Sequence, residues 1–313
     1  MNYKEFCKYV KEHILEFMPP DFKDSRVIVE DTIKNNHTNR VGLVVLKEDT
    51  VVSSKLYLEE FYEKYKVDKD IEVTMFSIGE EYCARIYPSK KINLEEIIDF
   101  DKIKDRIIST VINTKSNLDT ISNRPHLNVN DLSVIYQIHL GTLADNEVNI
   151  PISYDLMDEW EVRTDDIHES AIKNTEKIYP ACLYDIRSKF DDGNINFLDE
   201  NSEKPMCPML VLTNKDFTLG AIALANKDTL LRVSKALDDD YYMMPTSIDE
   251  TIIIPKEVAK LSNLKPQDLK RMLNEISATQ VKKEDRLSSL VYEYNQDNRS
   301  LSVCKELLRD LER

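Results

Sequence analysis

Thr246, Ser247, Asp249 and Glu250 stand together in DYYMMPTSIDETIIIPK, residues 240–256, where two apolar runs of strand character enclose a polar knot. Aromatic and β-branched residues suit a pleated surface, whereas Ser and Asp hydrogen-bond neighbouring backbone and favour turns. Two readings of the cluster follow. In one it is a small polar site, with Glu250 as a proton acceptor or Ser247 as a ligand contact. In the other it is a tight corner between strands, with Ser247 and Asp249 satisfying backbone amides. A serine with no histidine partner visible in the sequence is a poor nucleophile, which weighs toward the corner.

Other residues carry weaker signals. Asn35 and Asn36, in KNNHTN, are turn formers, although a loop with two side-chain amides also suits a binding contact. His126 follows Pro125 and reads as a loop or capping residue. The five histidines show no H-x-x-x-H or H-E-x-x-H spacing, and the five cysteines form no C-x-x-C pair, so the sequence presents no metal site. Scattered and odd in number, the cysteines read as reduced thiols that pack as small apolar side chains.

Glycine supplies a sharper exclusion. Only five occur, at positions 42, 79, 141, 193 and 220. Neither G-x-G-x-x-G nor G-x-x-x-x-G-K is present, so the loops that cradle dinucleotides and triphosphates are missing, as is the G-x-S-x-G nucleophile elbow. No cofactor is expected. With 42 basic and 57 acidic residues the formal charge is −15, which repels a phosphate backbone and disfavours nucleic-acid binding. The basic residues between Lys256 and Arg286 are interleaved with Glu257, Asp268, Glu275, Glu284 and Asp285, the pattern of a solvated helix face. No apolar run approaches the roughly 18 residues of a membrane span, and MNYKEFCKYVKEH has charges where a signal peptide has its apolar core. A cytoplasmic protein is expected, with no membrane association.

These residues need elements to hold them. A first helix is signed by Asn2, Glu5 and the stripe Phe6, Cys7, Val10 and Ile14, and is stopped by Pro19 and Pro20. Arg26–Ile33 and Arg40–Lys47 read as a hairpin, and Tyr57–Tyr65 as a helix. The run Ile71–Tyr87 fits either state. Strands are expected at 106–114, 131–140, 209–213, 219–224, 241–244, 251–255 and 290–294. Helices are expected near 154–160, from 164, from 226, from 266 and at 303–311, with a polar loop over 188–208. Because the strands arrive as neighbouring hairpins, the expected class is α+β, with antiparallel sheets and packed amphipathic helices. The proline-led connection at 88–101 suggests two domains, 1–92 and 93–313.

In order along the chain stand IKNN, YLEEFYEKY, RPHLNVNDLSVIY, WEVRTDDIHESAIKNT, LVLTN with GAIAL, MPTSIDETIIIP and TQVKKEDRLSSLVYEY. This succession resembles a family of bacterial proteins, common among Gram-positive anaerobes, that is known only as a domain of unknown function. The resemblance implies a grouping and no mechanism. Where Asp249 stands the family pattern more often has histidine before the glutamate, and the missing imidazole counts against a metal role at Asp249 and Glu250. The leading expectation is a non-enzymatic interaction or accessory protein with an unknown protein partner, supported by fifteen tyrosines suited to interfaces. The alternatives are a carboxylate-based, hydrolase-like enzyme of unrecognised class and an acidic DNA mimic.

Overall fold

The computed structural model describes residues 1–47, 54–86, 94–143, 146–187, 194–200 and 202–307. Helices pack on antiparallel sheets, so the fold is α+β. The chain separates into two compact units, Met1–Ile97 with His139–Asn149, and Ile98–Ile138 with Ile150–Arg313. The expected boundary between residues 92 and 93 lies outside the described residues.

In the first unit, α1 (Tyr3–His13) opens on a reciprocal cap: Glu5 N donates to Asn2 Oδ1 and Asn2 N to Glu5 Oε2, both at 2.9 Å. Phe6, Cys7, Val10 and Ile14 bury its apolar stripe. Strands β1 (Arg26–Lys34) and β2 (Thr38–Leu46) form a hairpin of continuous register from Arg26 opposite Leu46 to Lys34 opposite Thr38. Strand β3 (Leu56–Tyr57) pairs on the far side of β2, which gives the order β1-β2-β3. Val27 and Val29 pack on the core, as do Val45 and Leu43 opposite them and Val41 further along β2, so this stretch of the hairpin has an apolar face.

Helices α2 (Glu59–Asp68), α3 (Ile71–Ile86) and α4 (Leu94–Ile97) complete the described elements of this unit before residue 98. The ambiguous run is helical because Met75, Ile78 and Tyr82 recur at helical spacing and bury completely. Tyr82 then secures the sheet: its hydroxyl accepts from Val45 N at 2.6 Å and donates to Ser54 O at 2.9 Å. At the start of α2, Glu59 Oε1 accepts from Val41 N at 2.6 Å and from the Tyr3 hydroxyl at 2.9 Å, joining α1, β2 and α2 through one carboxylate.

The second unit carries α5 (Phe100–Ile103), β4 (Ile107–Asn113), α6 (Leu118–Ser122), β5 (His126–Val129), β6 (Leu132–Leu143) and β7 (Asn146–Pro151). One sheet has the order β4-β6-β5, with β7 also on β6, and the ends of β6 and β7 within His139–Asn149 group with the first unit. Next come α7 (Tyr154–Trp160), α8 (Thr164–Ile178), β8 (Ala181–Asp185), β9 (Leu210–Asn214) and α9 (Lys227–Leu237). The chain then runs through β10 (Tyr241–Ser247), β11 (Glu250–Pro255), α10 (Lys256–Leu261), α11 (Pro266–Gln280), β12 (Tyr292–Asn295) and β13 (Ser300–Val303). The second sheet has the order β13-β12-β10-β11-β9-β8. One of its faces buries Met244, Ile252, Ile254 and Val291 with Ala259 of α10 and Leu269 and Leu273 of α11.

Several expectations change. Leu219–Leu224 is not a strand: Leu219 takes a left-handed φ of 52° and Gly220–Ala225 is a buried 3-10 turn. The physical reason is that β9 is already paired on both sides, by β8 and β11, so no edge remains for a returning strand. Residues 300–303 form β13, so Val303 ends a strand rather than opening the expected helix 303–311; residues 305–307 are helical, and 308–311 lie outside the described residues. Strands β3, β5, β7 and β8 were not expected, and Tyr57, expected to open a helix, instead pairs with Gly42 in β3, the helix starting at Glu59. The expected loop 188–208 includes 188–193 and 201, also outside the described residues.

Many tyrosines are buried, and burial pushes the hydroxyls of Tyr3, Tyr136, Tyr184, Tyr241 and Tyr292 well above the ordinary tyrosine range. The folded chain therefore holds these protons more tightly than the unfolded chain does. Their contribution is fully present below the unfolded value of about 10 and is lost as pH rises beyond it. Urea midpoints compared at about pH 8 and about pH 11 should fall steeply; an unchanged midpoint would contradict this assignment.

Candidate functional site

The polar knot lies in the second unit, where β10 turns into β11. Ser247 is opposed to Glu250, and the register shifts between Pro245 and Ser247, so Thr246 sits at an irregularity in the ladder. Thr246 and Ser247 are buried. The Thr246 hydroxyl donates to Glu250 O at 3.0 Å, and Ser247 Oγ accepts from Asp249 N at 3.2 Å. Asp249 Oδ1 accepts from Leu219 N at 2.9 Å, while Asp249 O accepts from the Thr213 hydroxyl at 2.8 Å.

The corner's backbone is engaged as well. Ile248 N donates to Asp285 O at 2.9 Å, Ala221 N donates to Ile248 O at 3.2 Å, and Ser247 bridges to Arg286. Asp249 and the backbone of Ser247 and Ile248 thus hold three separated segments, 213–221, 246–250 and 285–286, in one junction, while the Thr246 and Ser247 hydroxyls bond within the corner itself. Ser247 Oγ meets a backbone amide, with no imidazole in that bond to draw off its proton.

Behind this corner is a small crevice, partly open to solvent, with room for about one water. Thr213 and Gly220 belong to both places, and Thr175, Glu176, Tyr179 and Asn226 add polar groups to the crevice wall. Glu176 is its hub. Oε1 accepts from Arg232 Nη1 at 3.0 Å, and Oε2 accepts from the Thr229 hydroxyl at 3.3 Å and from Asn226 Nδ2 at 3.5 Å. Two turns earlier on α8, His168 Nδ1 lies 2.8 Å from the Tyr136 hydroxyl. Burial lowers the His168 pKa, against the opposing pull of Asp165 and Glu169, and favours the neutral ring.

The remaining sequence candidates are dispersed. Asn35 and Asn36 sit in the 3-10 turn Asn35–His37 at the tip of the first unit's hairpin, where Asn36 and His37 have φ of 56° and 49°. Asparagine tolerates that left-handed geometry better than most residues. His126 is not in a loop: it opens β5 opposite Ile135, and its Nδ1 is 3.0 Å from Arg124 O. Sequence reasoning missed a further cluster, in which the carboxylate of Asp131 accepts from the Ser288 hydroxyl at 2.8 Å and from the Tyr292 hydroxyl. Its members are 157 and 161 residues apart, a separation no local motif bridges.

Among the described residues, no group of three or more His, Cys, Asp or Glu is placed to hold a metal ion. No helix among them is long and apolar enough to cross a membrane. Cys7, Cys182, Cys207 and Cys304 are buried free thiols, and burial pushes the Cys207 thiol up to about 11.

Compared with known proteins, residues 3–296 match the family of unknown function DUF5688. The chain belongs to that family. No curated protein and no solved structure matches it. The ordered motifs from IKNN to LVYEY lie within the matched span.

Proposed function

We propose that this member of DUF5688 is a protein-interaction module, and that its contact surface is the outer edge of β1 with the Asn35–His37 turn beside it. The observation that carries this reading is a contrast among sheet edges. An exposed edge is a ready template for another strand, and proteins blunt such edges with side chains, bulges or proline. Two edges in the second unit are blunted. Along β4, Ser109 N donates to the Thr175 hydroxyl at 2.9 Å and Ile107 O accepts from Asn174 Nδ2 at 2.9 Å. Along β8, Leu183 N donates to Asn196 Oδ1 at 2.9 Å and Leu183 O accepts from Phe197 N at 2.9 Å.

Strand β1 is different. It is nine residues long, contains no proline, and pairs with β2 without a register shift. No strand among the described residues pairs with its other side. At its far end Ile33 is 72% exposed, beyond the stretch that Val27 and Val29 anchor to the core. An extended segment laid along β1 gains main-chain hydrogen bonds for affinity and meets alternate side chains for specificity. The carboxylate-based enzyme reading has less support, because the oxygens of Thr246, Ser247 and Asp249 bond to backbone.

A photo-reactive residue at Ile33, in cells that express the chain natively, tests the proposal. It should join one defined protein, whereas the same group at Leu261, which is 80% exposed on α10, should not. Equal labelling from both positions, or no labelling from Ile33 by a chain that also stays monomeric, would remove the reading.

A further inference from the structure

The edge of β1 is chemically matched to itself, and we infer that the segment it takes is β1 of a second copy of this chain. The inference rests on the proposed role of that edge and names its partner. A two-fold axis normal to the sheet pairs the two copies antiparallel and keeps opposed residues on the same face, so the register moves only in steps of two residues.

One register satisfies both faces. With Ile28 opposite its own copy, Val27 falls opposite Val29 and Arg26 opposite Glu30, each pair occurring twice by symmetry. Val27 and Val29 belong to the core face, so their apolar stripe continues from one copy into the next. Arg26, Ile28 and Glu30 share the other face, where Lys55 Nζ already lies 2.8 Å from Glu30 Oε1. There a central apolar contact is flanked by two ion pairs. Opposed pairs of this kind are the unit of sheet stabilisation, whereas like charges directly opposite each other destabilise.

Neighbouring registers fail on charge or polarity. Lengthening the overlap by one step sets Val27 against Asp31 and Ile28 against Glu30. Overlapping the whole strand sets Arg26 against Lys34 and Glu30 against itself. The residues of β1 thus select one alignment of five opposed pairs, short enough to make the association reversible.

Sedimentation of the full chain between about 10 µM and about 1 mM tests this. The wild type should pass from monomer to dimer within that range. Arg26→Glu alone creates two Glu–Glu pairs and Glu30→Arg alone creates two Arg–Arg pairs, so each should weaken dimerisation by about tenfold or more. An equimolar mixture of the two variants should restore it, because every opposed pair is then Glu with Arg. A wild type that stays monomeric, a dimer indifferent to both changes, or a mixture that fails to recover would overturn the inference. If the chain is monomeric while Ile33 still joins a different protein, this inference falls and the interaction reading stands. If neither result is obtained, both fall.

Discussion

Gly220→Ala lowers the stability of the chain by about 3 kcal/mol, the size expected of an overpacked interior. A Cβ at this position would lie 2.5 Å from Asp249 O, 2.6 Å from Thr213 Oγ1 and 2.7 Å from Thr213 Cα. Two of those atoms are backbone, which has no rotamer to move into. The third is the hydroxyl that donates to Asp249 O, so relieving the clash also breaks the bond that ties β9 to the corner. The loss should appear as a lower urea midpoint with an unchanged slope. Gly220→Ser should do no better, since the obstruction arises at Cβ. A variant as stable as the wild type would mean that the 213–221 segment and the corner do not pack as described.

Asp131→Ala is the second large effect, at about 2–4 kcal/mol. Tyr292 is fully buried and Ser288 nearly so, and the carboxylate of Asp131 accepts from both hydroxyls. Removing it leaves two donors with no acceptor in a place that water does not readily reach, which costs more than the bonds themselves contributed. Asp131→Asn keeps one acceptor oxygen and should cost less than half as much. Tyr292→Phe combined with Asp131→Ala should cost less than the two single changes added together, with a coupling of about 1–2 kcal/mol in the double-mutant cycle. Strict additivity would show that the two groups do not share a bond.

The parts of the fold legible in the sequence are those whose determinants are local. The Asn2 and Glu5 cap, the apolar stripe of α1, the KNNHTN hairpin and the alternation of Leu132, Val134, Tyr136 and Ile138 each lie within a few residues. What escaped depends on distant partners. Whether GAIAL is a strand turns on whether β9 has a vacant edge, and β8 and β11 have taken both. The β8 sequence ACLYD is too short to declare itself without β9 beside it. At the corner the residue types pointed to a polar junction, but its binding partners at Leu219, Thr213 and Asp285 come from elsewhere in the chain. The contact surface proposed on β1 was invisible for another reason: an open edge is a property of sheet order, and no residue type encodes it.

The cover on β4 constrains the order in which the protein can be made. Ser109 waits for Thr175, 66 residues further on, and Ile107 for Asn174. On the ribosome, β4 emerges well before α8, and through that interval its side is exposed to any extended stretch of a neighbouring nascent chain. Synthesis that pauses between these two points would leave the polypeptide most prone to clumping, and release from that hazard comes only when α8 folds down.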